Sequence, residues 1–335
     1  MLTHETIVRV SAVADRTFRA WDAALAAPPC NAPRKALAFY SSRPGAARER
    51  VLIIARVIPP HVQKWDRCDA SVLRAVRGVL TDIDDTLTTE GAIPMGVAAA
   101  LAALRAAGLP VIAVTGRPMG WSVPIAEQTP LAAVVAENGA VAIFAEAGTL
   151  RVEYAQGEAE RAANARRLRA AAERILAEVP GASLARDSAG RVTDIAIDHS
   201  EFAHLDAAGI EQVVAIMRSE GMNATVSSIH INGWFGSHTK LTGAAWIGRR
   251  LLGRDLDNER DQWVYVGDST NDQLMFARFP LSVGVANLLD FADRLTHWPA
   301  YLTTLDRGRG FVEVAERLLA ARCLMARSAA PAARA

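Results

Sequence analysis

The spacing of apolar side chains changes three times along this chain, and each change predicts a different kind of structure. In residues 7–25 apolar positions recur every three or four residues, which predicts helix, and the apolar run 51–58 could be strand or helix. From residue 76 short apolar runs alternate with longer amphipathic segments, which predicts parallel strands joined by helices. Residues 148–236 contain strands with alternating apolar and polar positions, as in a half-exposed sheet. The parallel pattern resumes at residue 237, so one domain interrupts another.

The elements of the interrupted domain follow from apolar runs bounded by glycine and proline. They are predicted as strand 78–83, helix 94–107, strand 109–114, helix 123–128, strand 131–136, helix 239–252, strand 263–266, helix 271–277 and strand 281–285. The inserted segment is predicted to contain helix 158–178, strand 192–198, helix 205–220 and one strand over 224–231.

The predicted fold class is therefore α/β, with a doubly wound parallel-sheet core. Residues 76–147 and 237–325 would form that core domain, and residues 148–236 an inserted α+β domain. Residues 1–75 are predicted to be a mostly helical N-terminal extension. The Ala- and Arg-rich tail, residues 326–335, is expected to be frayed.

One face of the first helix is apolar and has no partner that the sequence identifies. Its apolar positions are Ile7, Val10, Ala14, Phe18, Trp21 and Leu25. We expect this stripe to pack on the core or to pair two copies of the chain as a homodimer.

Composition excludes several classes of protein. The chain has 335 residues, 51% of them hydrophobic and 22% charged, with a net charge of +1. A near-neutral charge gives no case for a nucleic-acid partner, and no apolar stretch is long enough for a membrane span. The three cysteines are far apart, which supports neither a zinc site nor a disulfide framework. With no signal peptide apparent, a reduced, cytoplasmic protein is expected.

The segment that carries most chemical information is residues 82–86, which follow a predicted strand. Sites in open α/β sheets form at the carboxyl ends of strands. There the Asp82 carboxylate can attack phosphorus, and Asp84 can give a proton to the leaving oxygen and later take one from water. Thr86 can fix the loop or bond the phosphoryl group. Taken alone, an acidic turn explains the same residues.

A second strand-end segment offers hydroxyl and backbone donors. Thr115 and Gly116 follow the strand 109–114, where a hydroxyl and a backbone N–H can grip a phosphoryl oxygen. Arg117 comes next. An ordinary strand-to-helix turn is the alternative for this segment.

Two further segments offer an amine and more carboxylates. Lys240 is one of only three lysines in an arginine-rich chain, and its ammonium could neutralise a nucleophile and a phosphate together. Asp268 and Asp272, with Asn271 between them, could complete a Mg²⁺ site of oxygen ligands. A surface lysine and a polar helix cap are the alternatives. Four such segments at strand ends, in this order, favour phosphoryl transfer.

These segments resemble the four motifs of the haloacid dehalogenase-like (HAD) phosphohydrolase superfamily. Residues 82–86, 115–117, Lys240 and 267–272 are similar to the first to fourth motifs in order. The insert is similar to a C2-type cap, and residues 137–140 are similar to a segment common in the Cof-like (IIB) branch. The resemblance covers roughly residues 76–320, and residues 1–75 have no recognised counterpart.

The resemblance implies a role for each motif residue and a Mg²⁺ cofactor. The implied catalytic residues are Asp82 as nucleophile, Asp84 as acid and base, and Thr115 and Lys240 as holders of the phosphoryl group. The implied metal ligands are Asp82, the Asp84 carbonyl and Asp268, with Asn271 or Asp272 nearby. The implied substrate-binding residues are Thr86, Gly116 and Arg117. Because dehalogenating relatives lack the second acid of the first motif, the resemblance favours phosphoryl transfer.

The inserted domain is expected to select the substrate. Alternate positions along one predicted strand could line a single face: Ser228, His230, Asn232 and Trp234. Looser candidates are Arg186, Asp187 and His199. A solvated sheet face is the alternative for each of them.

The sequence thus favours a cytoplasmic, Mg²⁺-dependent phosphatase acting on a small phosphorylated metabolite such as a sugar phosphate. A phosphomutase or phosphotransferase would use the same four segments, with a sugar hydroxyl replacing water. A non-catalytic binding protein on the same fold is a third hypothesis, motivated by the apolar N-terminal stripe.

Overall fold

A computed structural model of the chain describes residues 58–329, with side chains to residue 323. The predicted apolar stripe in residues 1–25 lies outside the described residues, as do residues 330–335. Within the described range the α/β prediction is confirmed. No helix in that range is both long and apolar enough to cross a bilayer.

Two sheets account for the strands of residues 58–329. The strands are β1 (Gln63–Lys64), β2 (Gly78–Thr81), β3 (Val111–Val114), β4 (Ala133–Ala136), β5 (Val141–Glu146), β6 (Thr149–Tyr154), β7 (Ser183–Leu184), β8 (Asp194–Asp198), β9 (Asn223–Val226), β10 (His230–Trp234), β11 (Trp263–Gly267), β12 (Leu281–Gly284) and β13 (Tyr301–Leu302).

Helices connect these strands. The α-helices are α1 (Ala70–Ala75), α2 (Met95–Ala106), α3 (Met119–Gln128), α4 (Glu158–Glu178), α5 (Ala207–Ser219), α6 (Lys240–Leu252), α7 (Gln273–Arg278) and α8 (Arg307–Ala329). Short 3₁₀ turns lie at Trp65–Arg67, Glu137–Gly139, Ser188–Gly190, Arg260–Gln262, Thr270–Asp272 and Ala286–Arg294.

The large sheet has nine strands in the order β1-β13-β12-β11-β2-β3-β4-β5-β6. All pairs from β1 to β4 are parallel, and β5 and β6 are added antiparallel at one end. After β1 at one edge, the chain enters the centre of the sheet at β2, moves outward through β3 to β6, and returns on the other side of β2 at β11. Strand order therefore reverses between β2 and β11, where a crevice at the carboxyl ends favours ligand binding.

The central strands are buried on both faces, which explains their almost continuous apolar sequence. Every residue of β2, β3 and β4 is buried. One face packs against α2 and α8, with Leu101 and Leu318 in the contact. The other face packs against α6 and α7 through Ile247 and Phe276. This unit is called the core below.

The smaller unit, residues 155–236, is called the cap below. Its four strands form an antiparallel sheet in the order β7-β8-β10-β9. Helices α4 and α5 cover one face, where Leu168, Ile175 and Val213 are buried. The other face turns towards the core, which places cap side chains over the carboxyl ends of β2 and β3.

Two strands of the large sheet lie outside the limits that were predicted for the core domain. The predicted insert begins at residue 148, but β6 pairs with β5 in the large sheet over Val141–Tyr154. The cause is a tight turn at Ala147 and Gly148, which both adopt positive φ and reverse the chain. At the other limit, Gln63–Lys64 of the predicted N-terminal extension pairs with β13 at the sheet edge.

Two predicted elements also differ in detail. The single strand predicted over 224–231 is wrong, because β9 and β10 form a hairpin with a turn at residues 227–229. Ser227 stabilises that turn, since its hydroxyl accepts from the backbone N–H of His230 at 3.0 Å. Helix α8 continues through Ala329, four residues into the tail that was expected to be frayed.

Candidate active site

Three neighbouring strands deliver the predicted core residues to one edge of the large sheet. Asp82 follows β2, Thr115 follows β3 and Asp268 follows β11. The ends of β2 and β11 are joined directly, because the Asp82 N–H donates to the Val266 carbonyl at 2.9 Å. The first, second and fourth sequence segments therefore meet in space, at the point where the strand order reverses.

Lys240 enters from the side as the first residue of α6. A capping box between Thr239 and Thr242 fixes where this helix begins. The Lys240 ammonium donates to Asp82 Oδ1 at 2.9 Å and to Asp272 Oδ1 at 2.7 Å. It also donates to Asn271 Oδ1 at 3.2 Å. The predicted amine thus lies against the predicted nucleophile.

Burial makes these charges depend strongly on one another. Burial raises the pKa of Asp82 to about 7, against the opposing effect of the Lys240 ammonium. For Lys240 burial alone would lower the pKa, but the carboxylates of Asp272 and Asp82 raise it above its ordinary value. Lys240 is therefore a permanent cation that favours the ionised form of its neighbours.

Three carboxylates lie close enough to share a cation. Oxygen atoms of Asp82, Asp268 and Asp272 lie within 4.8 Å of one another. Asp268 Oδ1 is fully buried and accepts no hydrogen bond from the described residues. A buried carboxylate oxygen without a donor is costly unless a cation satisfies it. The donor set, all carboxylate oxygen, suits Mg²⁺.

Asp272 differs from Asp268 because both of its oxygens are already engaged. Oδ1 accepts from Lys240 and from the hydroxyl of Tyr265. Oδ2 accepts from the backbone N–H groups of Asp268 at 2.9 Å and Ser269 at 3.1 Å. Asp272 therefore fits a role in holding Lys240 and the Asp268 turn better than a role as a metal ligand. Asn271 Oδ1 is similarly engaged, by Lys240.

The second acid of the first segment, Asp84, faces Arg117. The guanidinium donates from Nε to both Asp84 oxygens at 3.1 Å, and from Nη2 to Oδ1 at 3.0 Å. The same guanidinium also reaches Asp187 and Glu201 of the cap. In this closed form the Arg117 guanidinium thus contacts three carboxylates at once.

The two predicted hydroxyls occupy different surroundings. Thr115 Oγ1 accepts from the backbone N–H of Arg117 at 3.0 Å and lies at the small cavity between core and cap. Thr86 is fully buried, and its hydroxyl has no partner among the described residues. A Cβ on Gly116 would lie 3.1 Å from Asn232 Oδ1, so a larger residue there would require the Asn232 side chain to shift. Its carbonyl accepts from Arg191 at 2.9 Å.

Core and cap enclose a cavity with a free volume of about 10 Å³, which is room for one water molecule. It is lined by Asp82, Asp84, Thr115, Gly116, Arg117, Ser227, Ile229, His230, Asn232 and Asn271. A phosphate ester would need more space than this closed cavity provides.

The predicted cap residues divide into two groups. His230 and Asn232 are buried and line the cavity, so the alternative of a solvated face is wrong for them. Ser228 does not line it, and its neighbours Ser227 and Ile229 do. Trp234 is buried away from it, where its indole N–H donates to the His238 carbonyl at 2.9 Å.

The looser candidates also separate. Asp187 reaches Arg117 at 3.2 Å and therefore belongs to the site. The His199 ring bonds to Ser200 and to the Ser227 carbonyl instead. Arg186 stacks on Phe202, with its guanidinium carbon 3.8 Å from the ring centroid.

Besides Ser227 and Ile229, three residues that hold the site together were not predicted from the sequence. Glu201 contacts Arg117 and the imidazole of His230. Asn287 donates to Asp268 Oδ2 at 3.2 Å and to the Asp85 carbonyl at 3.0 Å, and so joins the first and fourth segments. Tyr265 bonds Asp272 from inside β11. None of the three stands in a recognisable motif, so only their contacts reveal them.

Comparison with known proteins agrees with this geometry. Residues 79–163 match a family model described as haloacid dehalogenase-like hydrolase. Over that segment the chain is similar to haloacid dehalogenase-like hydrolases. The matched segment carries Asp82, Asp84 and Thr115, three of the residues that meet at the carboxyl ends of the strands. No curated protein matches the chain.

Solved structures share the HAD-like fold across most of the described chain. One is a protein from Thermoplasma acidophilum, 0175, with 15% identity, a TM-score of 0.55, and coverage of 72% of this chain and 98% of that one. Another is the sucrose-phosphatase of Synechocystis sp. PCC6803, with 16% identity, a TM-score of 0.53, and coverage of 72% and 98%. A third is a HAD/COF-like hydrolase from Plasmodium vivax, with 17% identity, a TM-score of 0.54, and coverage of 76% and 99%. At such identities the likeness is one of fold.

Proposed function

We propose that this HAD-like hydrolase is a phosphatase that acts on a small phosphorylated metabolite and uses Asp82 as its nucleophile. The observation that carries the proposal is the contact between Lys240 and Asp82 at 2.9 Å, in a buried site at the switch point of the sheet. An ammonium in that position lowers the repulsion between a carboxylate and an incoming phosphate dianion. Asp84, two residues away, supplies the acid that an alcohol leaving group needs.

In the first step Asp82 attacks phosphorus and forms an aspartyl-phosphate. The bond from phosphorus to the ester oxygen breaks as Asp84 gives its proton to that oxygen, so an alcohol leaves. In the second step Asp84, now ionised, takes a proton from water as the water oxygen attacks phosphorus. Phosphate leaves, and Asp82 and Asp84 return to their starting states.

Mg²⁺ fits the carboxylates present. Asp268 offers a buried oxygen without a hydrogen-bond donor, beside Asp82. These two carboxylates, with the Asp84 carbonyl, are the proposed ligands. When bound, the ion would neutralise negative charge on the phosphoryl oxygens. Asn287 and the backbone contacts of Asp272 would hold the ligand turn in place.

A sugar phosphate is the proposed substrate class. The leaving group would lie towards His230 and Asn232 of the cap, which are polar groups suited to hydroxyls. The sucrose-phosphatase of similar fold was solved in complex with sucrose and phosphate, and this is consistent with the proposal. A phosphomutase or phosphotransferase would use the same core residues, with a sugar hydroxyl in place of water.

The test is phosphate release from a panel of sugar phosphates, with Mg²⁺ and with a chelator. Asp82→Asn is expected to lower turnover by at least about 10³-fold, since it removes the nucleophile but keeps its shape. Circular dichroism and thermal unfolding check that the variant folds. Asp66→Asn, at an exposed acid, is the matched control and should behave as wild type.

Unchanged turnover in Asp82→Asn would contradict the mechanism. An isomerised sugar phosphate without free phosphate would instead show a mutase. Release that survives the chelator would remove Mg²⁺ from the proposal.

A further inference from the structure

The guanidinium of Arg117 is shared by two acids of the cap. Nη2 donates to Glu201 Oε1 at 2.8 Å, and Nη1 donates to Asp187 Oδ2 at 3.2 Å. The exposed fraction of the side chain is 7% for Arg117, 14% for Asp187 and 22% for Glu201. Water therefore screens these charges weakly, and each acts over a longer distance than a charge on an open surface.

Both cap acids are held in place by their surroundings in the closed form. Asp198 accepts a hydrogen bond from the backbone N–H of Glu201 at 2.9 Å. The turn that follows Asp187 lies directly against the core, since a Cβ on Gly120 of α3 would lie 3.0 Å from the Gly190 Cα. The two carboxylates therefore have defined positions beside Arg117.

Few positive charges lie near these acids. Arg117 is the only lysine or arginine among the described residues that line the cavity. The neighbouring guanidinium of Arg191 is 2% exposed, and it donates to Asp187 at 3.1 Å and to Asp194 at 2.9 Å. Arg117 itself also donates to Asp84 of the core. Each of the two guanidiniums thus divides its charge among more than one carboxylate.

Glu201 stays ionised although it is partly buried. Burial raises its pKa, but hydrogen bonds from His230 and Arg117 outweigh burial and lower the pKa to about 2. His230 lines the cavity, and its Nε2 lies 2.8 Å from Glu201 Oε2. The negative charge of Glu201 therefore lies directly behind two side chains of the cavity wall, His230 and Arg117.

A phosphate ester bound between core and cap would make this imbalance of charge larger. Its phosphoryl group is an anion, and it would attract the guanidinium of Arg117. The more Arg117 turns towards that group, the less it neutralises Glu201 and Asp187. A leaving group on the cap side would then meet a negative potential, which attracts a positive charge and repels a negative one.

We propose that Glu201 and Asp187 select substrates by the charge of the leaving group, favouring a cationic group over a neutral one and rejecting an anionic one. The inference rests on the phosphatase function proposed above. It narrows the substrate class to phosphate esters of neutral or amine-bearing alcohols, such as sugars and amino sugars. Esters with a carboxylate or a second phosphate on the leaving group would be poor substrates, because that added charge would face the two cap acids.

Aryl phosphates that differ in one substituent test this selection. Phenyl phosphate with a 4-aminomethyl, 4-hydroxymethyl or 4-carboxyl group has a cationic, neutral or anionic leaving group of similar size. In wild type we expect kcat/KM to fall roughly tenfold from the cationic to the neutral ester and roughly tenfold again to the anionic ester. Phosphate release is measured at a pH where the amine is protonated. Glucosamine 6-phosphate and glucose 6-phosphate give the cationic and neutral cases on a sugar ring.

Two cap variants test which residues cause the difference between the esters. Glu201→Gln keeps the shape of the side chain without its charge, and should reduce each tenfold difference to less than about threefold. Asp187→Asn should reduce it less, since Arg191 already neutralises part of the charge of Asp187. Altered closure of the cap would change kcat/KM for all the esters alike, so the ratios between esters separate charge selection from a structural role.

Glu220→Gln is the matched control. Glu220 is a cap acid paired with Arg174 at 2.6 Å on the outer helices. This variant should leave kcat/KM unchanged for every ester.

Equal kcat/KM for the cationic, neutral and anionic esters in wild type would overturn this inference alone and leave the phosphatase in place. Ratios that stay unchanged in both Glu201→Gln and Asp187→Asn would also overturn it, since other groups would then select the substrate. Wild type that releases no phosphate from any of these esters would overturn the proposed phosphatase and the inference with it. Should Glu201→Gln fail to fold, Asp187→Asn decides by the same ratios.

Discussion

At the scale of single residues, four aspartates of the core are all buried or partly buried. They differ in the groups that they contact, and these contacts suit them to different roles. Asp82 contacts Lys240, Asp84 contacts Arg117, and Asp272 is saturated by a lysine, a tyrosine and two backbone amides. Of these four, only Asp268 has a fully buried oxygen without a donor among the described residues. A carboxylate oxygen that accepts no hydrogen bond can still bind a cation or a substrate, so the role of each carboxylate depends on which of its oxygens has no donor.

His238 gives a prediction about pH and stability at the same scale. It is buried where cap and core join, its Nε2 has no partner among the described residues, and burial lowers its pKa to about 4. The folded pKa is below the unfolded value of 6.5. The neutral ring thus contributes stability above pH 6.5 that is lost as pH falls towards 4.

Replacing His238 should therefore flatten the pH dependence of the free energy of unfolding. Between pH 7 and pH 4 wild type is expected to lose about 3 kcal/mol more than His238→Gln. Urea unfolding at both values measures the difference. His61→Gln, at an exposed histidine, is the control and should follow wild type. If wild type and His238→Gln lose the same free energy of unfolding between pH 7 and pH 4, the conclusion that burial lowers the pKa of His238 is wrong.

At the scale of elements, the position of Lys240 depends on how closely α6 approaches the turn after β4. Gly139 in that turn has a φ of 108°, and a Cβ on it would lie 2.0 Å from the Thr239 carbonyl oxygen. On the helix side, a Cβ on Gly243 would lie 2.5 Å from the Gly139 Cα. Two glycines therefore allow the start of α6, and with it the Lys240 ammonium, to reach Asp82.

Gly139→Ala should lower the stability of the protein far more than the same substitution at a glycine whose added Cβ meets no other atom. Gly148→Ala is the matched control, since Gly148 also has positive φ but nothing lies within 4 Å of its added Cβ. The control should cost about 1–2 kcal/mol from backbone strain alone. Gly139→Ala should cost more than about 4 kcal/mol and reduce turnover, because the helix must move. Equal thermal stabilities would show that the close approach is unimportant.

At the scale of the whole molecule, the closed form is held by core groups that bond the backbone of the cap. The Glu137 carboxylate is fully buried and accepts from the N–H groups of Val192 and Thr193 and from the Thr193 hydroxyl. Thr270 of the core donates to the Val226 carbonyl at 2.6 Å. Because the enclosed cavity holds only about one water, the proposed phosphatase would have to break and re-form these bonds to admit a phosphate ester.

Weakening these hydrogen bonds between core and cap should raise the population of the form in which the cap is open. In Glu137→Gln an amide N–H₂ would replace one acceptor and face backbone donors, at a cost of about 2–3 kcal/mol. Hydrogen–deuterium exchange of the segment 191–194 should then be at least roughly tenfold faster. Glu146→Gln, at a surface acid, should leave exchange unchanged. Unaltered exchange in Glu137→Gln would mean that other contacts hold the cap.

Much of the core could be predicted because its signals are local. Buried parallel strands read as apolar runs, and acids placed directly after them must meet at one edge. The hairpin β5–β6 and the break between β9 and β10 were missed, because short apolar runs carry no sign of strand direction or of membership in a sheet. All five residues of β10 are buried, whereas the alternation of apolar and polar residues in the sequence predicted that one face of this strand would be exposed.

The sequence by itself determined the α/β fold class, the order of the motif residues and the kind of reaction they support, because each depends on residue type and spacing within a few positions. The tertiary structure alone decided the partners of each charge. The bridge from Asp84 through Arg117 to Glu201 spans 33 and 84 positions of sequence. Contacts at such separation follow from how the cap packs on the core, and no local pattern encodes them.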